Sequence, residues 1–177
     1  SVGKFIPIVE IPLPPKPVDI DTNEEARKSY RRRSTEVRNE NQGAFRRNCR
    51  TRNTMEAIRR FEGKEYWIPW SFDYRGRAYP IPAFLTPQDT DFGKSCIRFS
   101  NESVVTDKAE QWLAFQVATT YGLDKSTIEE RLAWTHANTG LIAKIANNPR
   151  RCLPDWEAAS EPWQFLAACD EYYHCVL

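Results

Sequence analysis

Residues 27–64 restrict the possible fold of this 177-residue chain more than any other stretch does. They carry thirteen Lys or Arg against four acidic residues, whereas a neutral helix surface alternates signs so that residues four apart can pair. Apolar residues still recur every seven positions, at Tyr30, Val37 and Ala44. The stretch therefore predicts a basic helical pair, or one long broken helix, that ends near Gly63.

Two local signals mark where these helices begin and divide. Thr22, followed three residues later by Glu25, has the spacing of a capping box. After Gly43 a second helical run starts, which gives a predicted basic helical region over 23–64. Its inward side is predicted to carry four side chains, Phe45, Cys49, Ile58 and Phe61.

The net charge of +1 hides a division between the two halves of the chain. Residues 27–64 have a net charge of +9, and residues 101–177, with six basic and eleven acidic residues, have −5. An excess of one sign on one side of a molecule favours a polyanionic partner such as nucleic acid. The alternative interpretation is a solvated basic face on a helical interaction domain.

Composition narrows the class of protein. A hydrophobic content of 41% with 28% charged residues predicts a soluble globular chain, and the longest apolar run is far shorter than a membrane span. Glu10 and the neighbouring prolines argue against a signal peptide, and the absence of an initiator methionine suggests a processed chain or a piece of a longer one. Five cysteines without a CxxC motif favour reduced thiols. Cys169, His174 and Cys175 fit no zinc spacing, so we expect no metal there and interpret them as part of a helix face.

The rest of the chain divides into three predicted parts. The proline-rich residues 1–22 predict an extended strap. Residues 65–100 predict a small antiparallel β element, with strands on both sides of a turn at Arg75-Gly76 and an edge strand over 95–100. Residues 101–177 predict a helical lobe. The predicted fold class is therefore α+β and rich in helix.

Within the lobe, the boundaries of the helices follow from caps and prolines. One helix is predicted from Asp107 to Tyr121, and a second opens at a capping box of Ser126 and Glu129. The segment 147–156 is predicted to be a loop. Ser160 is expected to cap the last helix, whose inner side is predicted to consist of Phe165, Leu166, Cys169, Tyr173 and Val176.

The stretch WSFDYRGRAYP, residues 70–80, is the candidate functional element. Two arginines, Arg75 and Arg77, flank Gly76 and follow Asp73, inside a segment whose aromatic residues suggest burial. A buried guanidinium is costly unless it is paired, so the pattern points to an anionic ligand. Arginine offers bidentate contacts to phosphate, and glycine lets the backbone approach a ligand closely. For Asp73 we expect a salt bridge that orients one of the arginines rather than a metal ligand.

The sequence also lacks the GxxxxGK[ST], GxSxG and HExxH motifs, and its two histidines make a His-based catalytic site improbable. The stretch DYRGRAYP instead resembles the Asp-x-x-Gly-Arg element of the single-subunit, phage-type RNA polymerases of bacteriophages and mitochondria. Three further stretches resemble the same family in the same order: KPVDIDTNEEA, LTPQDTDFGKSCIRFS and EPWQFLAACDEYYHCV. The resemblance covers about residues 16 to 177.

The resemblance implies a role for individual residues in contacting the DNA template and the RNA–DNA hybrid. Arg75, Gly76 and Arg77 match the Gly-Arg element beside the template strand, and Asp73 matches its aspartate. Basic positions of the preceding helices, which face the hybrid in the family, are matched by Arg31, Arg32, Arg46 and Arg47. By the same resemblance the chain would cover the end of the thumb region and part of the palm.

The family's catalytic aspartates have no match in this chain. In the family two aspartates bind two Mg²⁺ ions for nucleotidyl transfer, and the first belongs to a motif expected shortly after Leu177. We therefore expect Mg²⁺ and nucleoside triphosphates to be ligands of the full enzyme only, with no cofactor bound by this piece. The isolated chain should not polymerise, and primer extension by the purified chain would contradict the interpretation as a fragment.

Two questions stay open at the level of sequence. A non-catalytic nucleic-acid-binding module on the same scaffold is the alternative to a polymerase fragment. The cell compartment is expected to be the cytoplasm of a phage-infected host, with the mitochondrion as the alternative, and no membrane partner is expected.

Overall fold

The computed structural model describes residues 10–177, which fall into two compact units, 10–56 and 57–177. The model is rich in helix and contains one two-stranded antiparallel sheet, so the predicted α+β class is confirmed. In chain order the elements are α1 (Glu24–Phe61), β1 (Trp70–Phe72), β2 (Ala78–Pro80), α2 (Asp91–Ser95), α3 (Asp107–Tyr121), α4 (Ile128–Ala137), α5 (Thr139–Asn147), α6 (Leu153–Glu157) and α7 (Pro162–Val176). In the part of the chain that the structure describes, no helix has the length and apolar character needed to cross a membrane.

The predicted helical pair is wrong, because α1 is one unbroken helix of 38 residues. Gly43 lies in its middle, and a single internal glycine costs only about 1 kcal/mol relative to alanine. No proline occurs between Pro17 and Pro69 to break the helix. The helix ends where predicted, and Gly63 adopts a φ of 68° just beyond it.

The start of α1 differs from the predicted capping box. The Oδ1 atom of Asn23 accepts hydrogen bonds from the backbone N–H groups of Glu25 and Ala26, both at 3.1 Å. The Thr22 hydroxyl donates instead to the carbonyl of Asp19. Asparagine is at least as good an N-cap as threonine, so the cap moves by one residue without loss.

The described part of the predicted strap, residues 10–22, is extended and then turns into α1. Asn41 holds it on the helix, since its amide accepts from the Ile11 N–H at 2.9 Å and donates to the Ile11 carbonyl at 2.8 Å. Ala44 is buried on the same helix, but the neighbouring Phe45 is 68% exposed and not inward-facing as predicted. Both residues border the cavity beside the strap, but only Ala44 is covered. Residues 1–9 of the predicted strap lie outside the described residues.

The core of the second unit lies among α3, α5, α6 and α7. Phe165, Cys169 and Tyr172 of α7 are almost fully buried in it, so Tyr172 takes the inward place predicted for Tyr173. The Thr135 hydroxyl of α4 donates to the Ala114 carbonyl of α3 at 2.7 Å, which satisfies a buried polar group between two helices.

Several predicted boundaries shift inside this unit. The capping box of α4 is formed by Thr127 and Glu130, one residue after the predicted pair, Ser126 and Glu129. The predicted loop 147–156 contains the start of α6, whose first turn tolerates Pro154. The predicted edge strand over 95–100 is absent, because residue 95 ends α2 and residues 97–99 pair with no strand.

Candidate nucleic-acid interface

The hairpin of β1 and β2 presents the candidate element as an exposed turn. The two strands pair in antiparallel register, with Ser71 opposite Tyr79, and the Ile81 N–H donates to the Pro69 carbonyl just beyond them. Each strand has only three residues. The predicted turn at Arg75-Gly76 is confirmed.

Asp73 organises this turn through the backbone rather than through the arginine side chains. Its Oδ1 atom accepts from the N–H of Arg75 at 2.8 Å and from the N–H of Arg77 at 3.0 Å. The Gly76 N–H donates to the Asp73 carbonyl at 3.0 Å, and the Asp73 N–H donates to the Arg77 carbonyl at the same distance. The predicted salt bridge from Asp73 to an arginine is therefore wrong, since this carboxylate forms no ion pair within residues 10–177.

The carboxylate accepts from backbone amides because of the tightness of the turn. An aspartate at the start of a turn can bond the amide two residues later, as an Asx-turn does. Gly76 has a φ of 77°, a backbone conformation that favours glycine. The consequence is that neither arginine side chain binds the Asp73 carboxylate.

The two guanidiniums have different surroundings. The Nε atom of Arg75 donates to the Tyr74 hydroxyl at 2.9 Å, and its guanidinium carbon lies 5.0 Å from the centre of the Tyr74 ring. The Arg77 guanidinium has neither a hydrogen bond nor an ion pair within the described chain, and both arginines are exposed. Arg77 is thus a free, bidentate donor on a fixed turn.

The aromatic residues around the turn are exposed, against the burial that the sequence suggested. Trp70, Phe72, Tyr74 and Tyr79 all face solvent, and Phe72 is 74% exposed. A two-stranded sheet with three-residue strands is too small to bury both of its faces. Exposed aromatic rings beside arginines are the side chains on which single-stranded nucleic acid stacks.

An open aromatic groove of about 890 Å³ lies in the same unit. Its walls include Phe61, Tyr66, Trp67, Trp70 and Phe99. Burial raises the pKa of the Tyr66 phenol, and the nearby Cys96 thiol raises it further. The groove has no signal in the sequence, because its residues come from three separate stretches of the chain.

The remaining predicted contacts lie on α1, in the other compact unit. Arg31, Arg32, Arg46 and Arg47 are all exposed. At about 100° per residue, their positions fall within roughly 160° of the helix circumference. Arg32 pairs with Glu36 at 3.0 Å, whereas the other three make no ion pair within the described residues. The structure therefore brings together Asp73, Arg75, Gly76 and Arg77, and it places the four α1 arginines on one side of a separate element.

Comparison with known proteins supplies the family. The model of the family described as DNA-dependent RNA polymerase matches residues 103–176. The DNA-directed RNA polymerase of Enterobacteria phage K11 is 32% identical over 96% of this chain. The chain is homologous to a segment of the phage-type DNA-directed RNA polymerases.

Relatives from two kinds of source support this assignment. T7 RNA polymerase of Escherichia phage T7 is 30% identical over 96% of this chain, and the mitochondrial DNA-directed RNA polymerase of Neurospora crassa is 29% identical over 90% of it. The chain spans only 11% to 20% of the lengths of these three polymerases. The match extends over the strap, α1, the hairpin and the lobe, as the resemblance of the sequence motifs implied.

Proposed function

We propose that this chain is a segment of a polymerase that makes RNA on a DNA template, and that its arginine turn contacts the backbone of the template or of the RNA–DNA hybrid. The observation that carries the proposal is the Arg77 guanidinium, which is exposed and unpaired among the described residues on a turn that Asp73 fixes. A planar guanidinium can donate two parallel hydrogen bonds to one phosphate. Because the turn is already ordered, less conformational entropy is lost on binding.

The α1 arginines are proposed as a second set of phosphate contacts. Arg31, Arg46 and Arg47 have no anionic partner within the described chain, so a phosphate would not have to displace a carboxylate. Arg32 would have to leave Glu36, but an exposed pair at an i,i+4 spacing contributes only about 0.3–0.5 kcal/mol. We therefore expect a smaller contribution from Arg32 than from its neighbours.

The chemistry of nucleotidyl transfer is proposed to belong to the longer enzyme. There, Mg²⁺ and nucleoside triphosphates would be bound by residues outside this chain, and the segment would hold the nucleic acid. The phage relatives favour the cytoplasm of an infected host cell as the compartment, and the mitochondrial relatives make the mitochondrion the alternative.

Replacing Arg77 by alanine tests the proposed contact. Each phosphate contact adds about 0.9 to the slope of log K against log salt on duplex DNA. Arg77→Ala should therefore weaken binding of the chain to an RNA–DNA hybrid and lower this slope by about one unit. Sequence preference should stay unchanged, because a backbone contact reads no base. Fluorescence anisotropy at several salt concentrations measures both quantities.

Arg150→Ala is the matched control, since Arg150 is an exposed arginine between α5 and α6 without a side-chain partner within the described residues. Its slope and affinity should equal those of the unmodified chain. If Arg77→Ala and Arg150→Ala behave alike, the turn is only scaffold. Hybrid binding that is intact in the chain while the longer polypeptide shows no RNA synthesis would favour the non-catalytic binding module.

A further inference from the structure

The first turn of α7 is capped by a residue far away in the sequence. Its own N-cap residue, Glu161, makes no side-chain cap. Asp91, the first residue of α2, supplies the cap instead: its Oδ2 atom accepts from the Trp163 N–H and its Oδ1 atom from the Gln164 N–H, both at 2.9 Å. The Gln164 side-chain amide also donates to Oδ1, at 3.2 Å. A carboxylate at this place satisfies free amides and interacts favourably with the helix dipole.

The segment around Asp91 follows α7 beyond this cap. The ring of Phe92 packs edge-on against Trp163, with 5.2 Å between the ring centres. Further along, the Arg98 guanidinium pairs with Asp170 at 3.3 Å. Both side chains in that pair are exposed, so the pair contributes little to stability by itself. Asp91 is therefore a stronger polar attachment between this segment and the lobe than the Arg98–Asp170 pair.

A chain of contacts leads from Asp91 back to the arginine hairpin. The carboxylate of the buried Asp89 accepts from the N–H groups of Leu85 and Thr90, which closes the loop after β2. The side chain of Gln88 donates to the carbonyl of Ala78 in β2 at 3.4 Å. The loop is compact, since a Cβ atom on Gly93 would lie 2.3 Å from the Asp89 carboxylate.

We propose that Asp91 is a positioning residue, which fixes the arginine turn relative to α7 and the lobe. The proposal rests on the proposed function insofar as the turn binds nucleic acid. Asp91 itself is not expected to contact nucleic acid, because both of its carboxylate oxygens accept from amides of α7. Without it, the loop and the hairpin keep their own hydrogen bonds, and the remaining contacts with α7, such as that between the Phe92 and Trp163 rings, leave them a wider range of positions on the lobe.

Two measurements without nucleic acid test the attachment directly. In Asp91→Ala the amides of Trp163 and Gln164 should exchange hydrogen about three- to tenfold faster, as expected for the loss of an N-cap. The distance distribution between spin labels at positions 74 and 171, introduced as noncanonical amino acids so that the native cysteines remain, should widen about twofold. Asp91→Asn keeps one acceptor oxygen, so it should lie between Asp91→Ala and the unmodified chain.

Hybrid binding then separates positioning from a direct contact. Asp91→Ala should weaken binding about fivefold at every salt concentration with an unchanged salt slope, because Arg75 and Arg77 are still present. Ile142→Val, a change in the buried core of the lobe with a comparable loss of Tm, should leave affinity and the label distances unchanged. An unchanged distance distribution in Asp91→Ala, or equal losses of affinity in both variants, would overturn the proposal. A chain that does not bind the hybrid at all would refute the proposed function, while the distance measurement would still decide the positioning role.

Discussion

The lobe and the hairpin segment contain similar aromatic residues with opposite exposure. In the lobe, Trp156 and Phe165 are 4% and 0% exposed, whereas Trp67 and Phe99 in the hairpin segment are 80% and 97% exposed. The lobe has several helices that cover one another, so each apolar stripe meets another. The hairpin segment has two three-residue strands and a five-residue helix, which cannot cover their own side chains. The difference shows that burial depends on what surrounds an aromatic residue and not on its hydrophobicity alone.

The largest difference in stability between the two regions should appear when one aromatic ring is truncated in each of them. Phe165→Ala leaves a cavity in the core of the lobe and should lower the free energy of unfolding by about 3–5 kcal/mol. Phe72→Ala removes an exposed ring and should change it by less than about 0.5 kcal/mol. Urea denaturation followed by circular dichroism measures both. Similar losses in the two variants would mean that the hairpin face is covered within the chain.

A smaller loss of stability is expected from a substitution in the segment that joins the hairpin to the lobe. In Gly93→Ala the new Cβ would overlap the Asp89 carboxylate, whose oxygen would be only 2.3 Å away. Asp89 is buried and holds the Leu85 and Thr90 amides, so it cannot simply turn away. Overpacking of this kind costs about 1–3 kcal/mol.

The loss of stability in Gly93→Ala should lower the midpoint of urea denaturation. Gly140→Ala is the matched control, because a Cβ atom there would meet nothing within 4 Å and the residue lies inside α5, where alanine is favoured. A Gly93→Ala chain as stable as the Gly140→Ala chain would show that the loop adapts and does not hold the hairpin in a fixed place.

Features of the fold that depend on neighbouring residues in the sequence were easier to predict than features that depend on distant residues. Most of the lobe helices were predictable because apolar spacing and nearby caps are local signals, although the start of α6 was predicted to be a loop. The caps of α4 and α1 were each predicted one residue too early, where two adjacent polar residues could each serve as the cap. The unbroken α1 was missed because a central glycine was interpreted as a division, although its cost is small against the gain from 38 residues of helix.

Long-range features were not predictable in this way. Ser160 was expected to cap α7 from its own neighbourhood, but the cap is Asp91, 72 residues before the amide it binds. The turn at residues 73–77 was predictable from Asp and Gly, whereas the use of the Asp73 carboxylate was not, because two arginines nearby suggested a salt bridge. In both cases a carboxylate accepts hydrogen bonds from backbone amides. Which amides lie within its reach depends on the path of the folded backbone.

The mildest test needs no substitution and compares the labelling rates of two cysteines of α7. Cys169 is buried in the core, and burial, followed by the charge of Asp170, raises its thiol pKa to about 12. Cys175 lies on the same helix and is exposed. Since the thiolate is the reactive form, iodoacetamide at pH 8 should modify Cys175 readily and Cys169 at least a hundredfold more slowly. Peptide mass spectrometry over time measures both rates, and in urea the two should become similar.

Between pH 9 and 12 the unfolded Cys169 thiol ionises while the folded one keeps its proton, so the free energy of unfolding should fall as the pH rises through this range. Equal labelling rates in the folded chain would mean that α7 opens readily, and that the contrast between a closed lobe and an open hairpin segment is smaller than the structure shows.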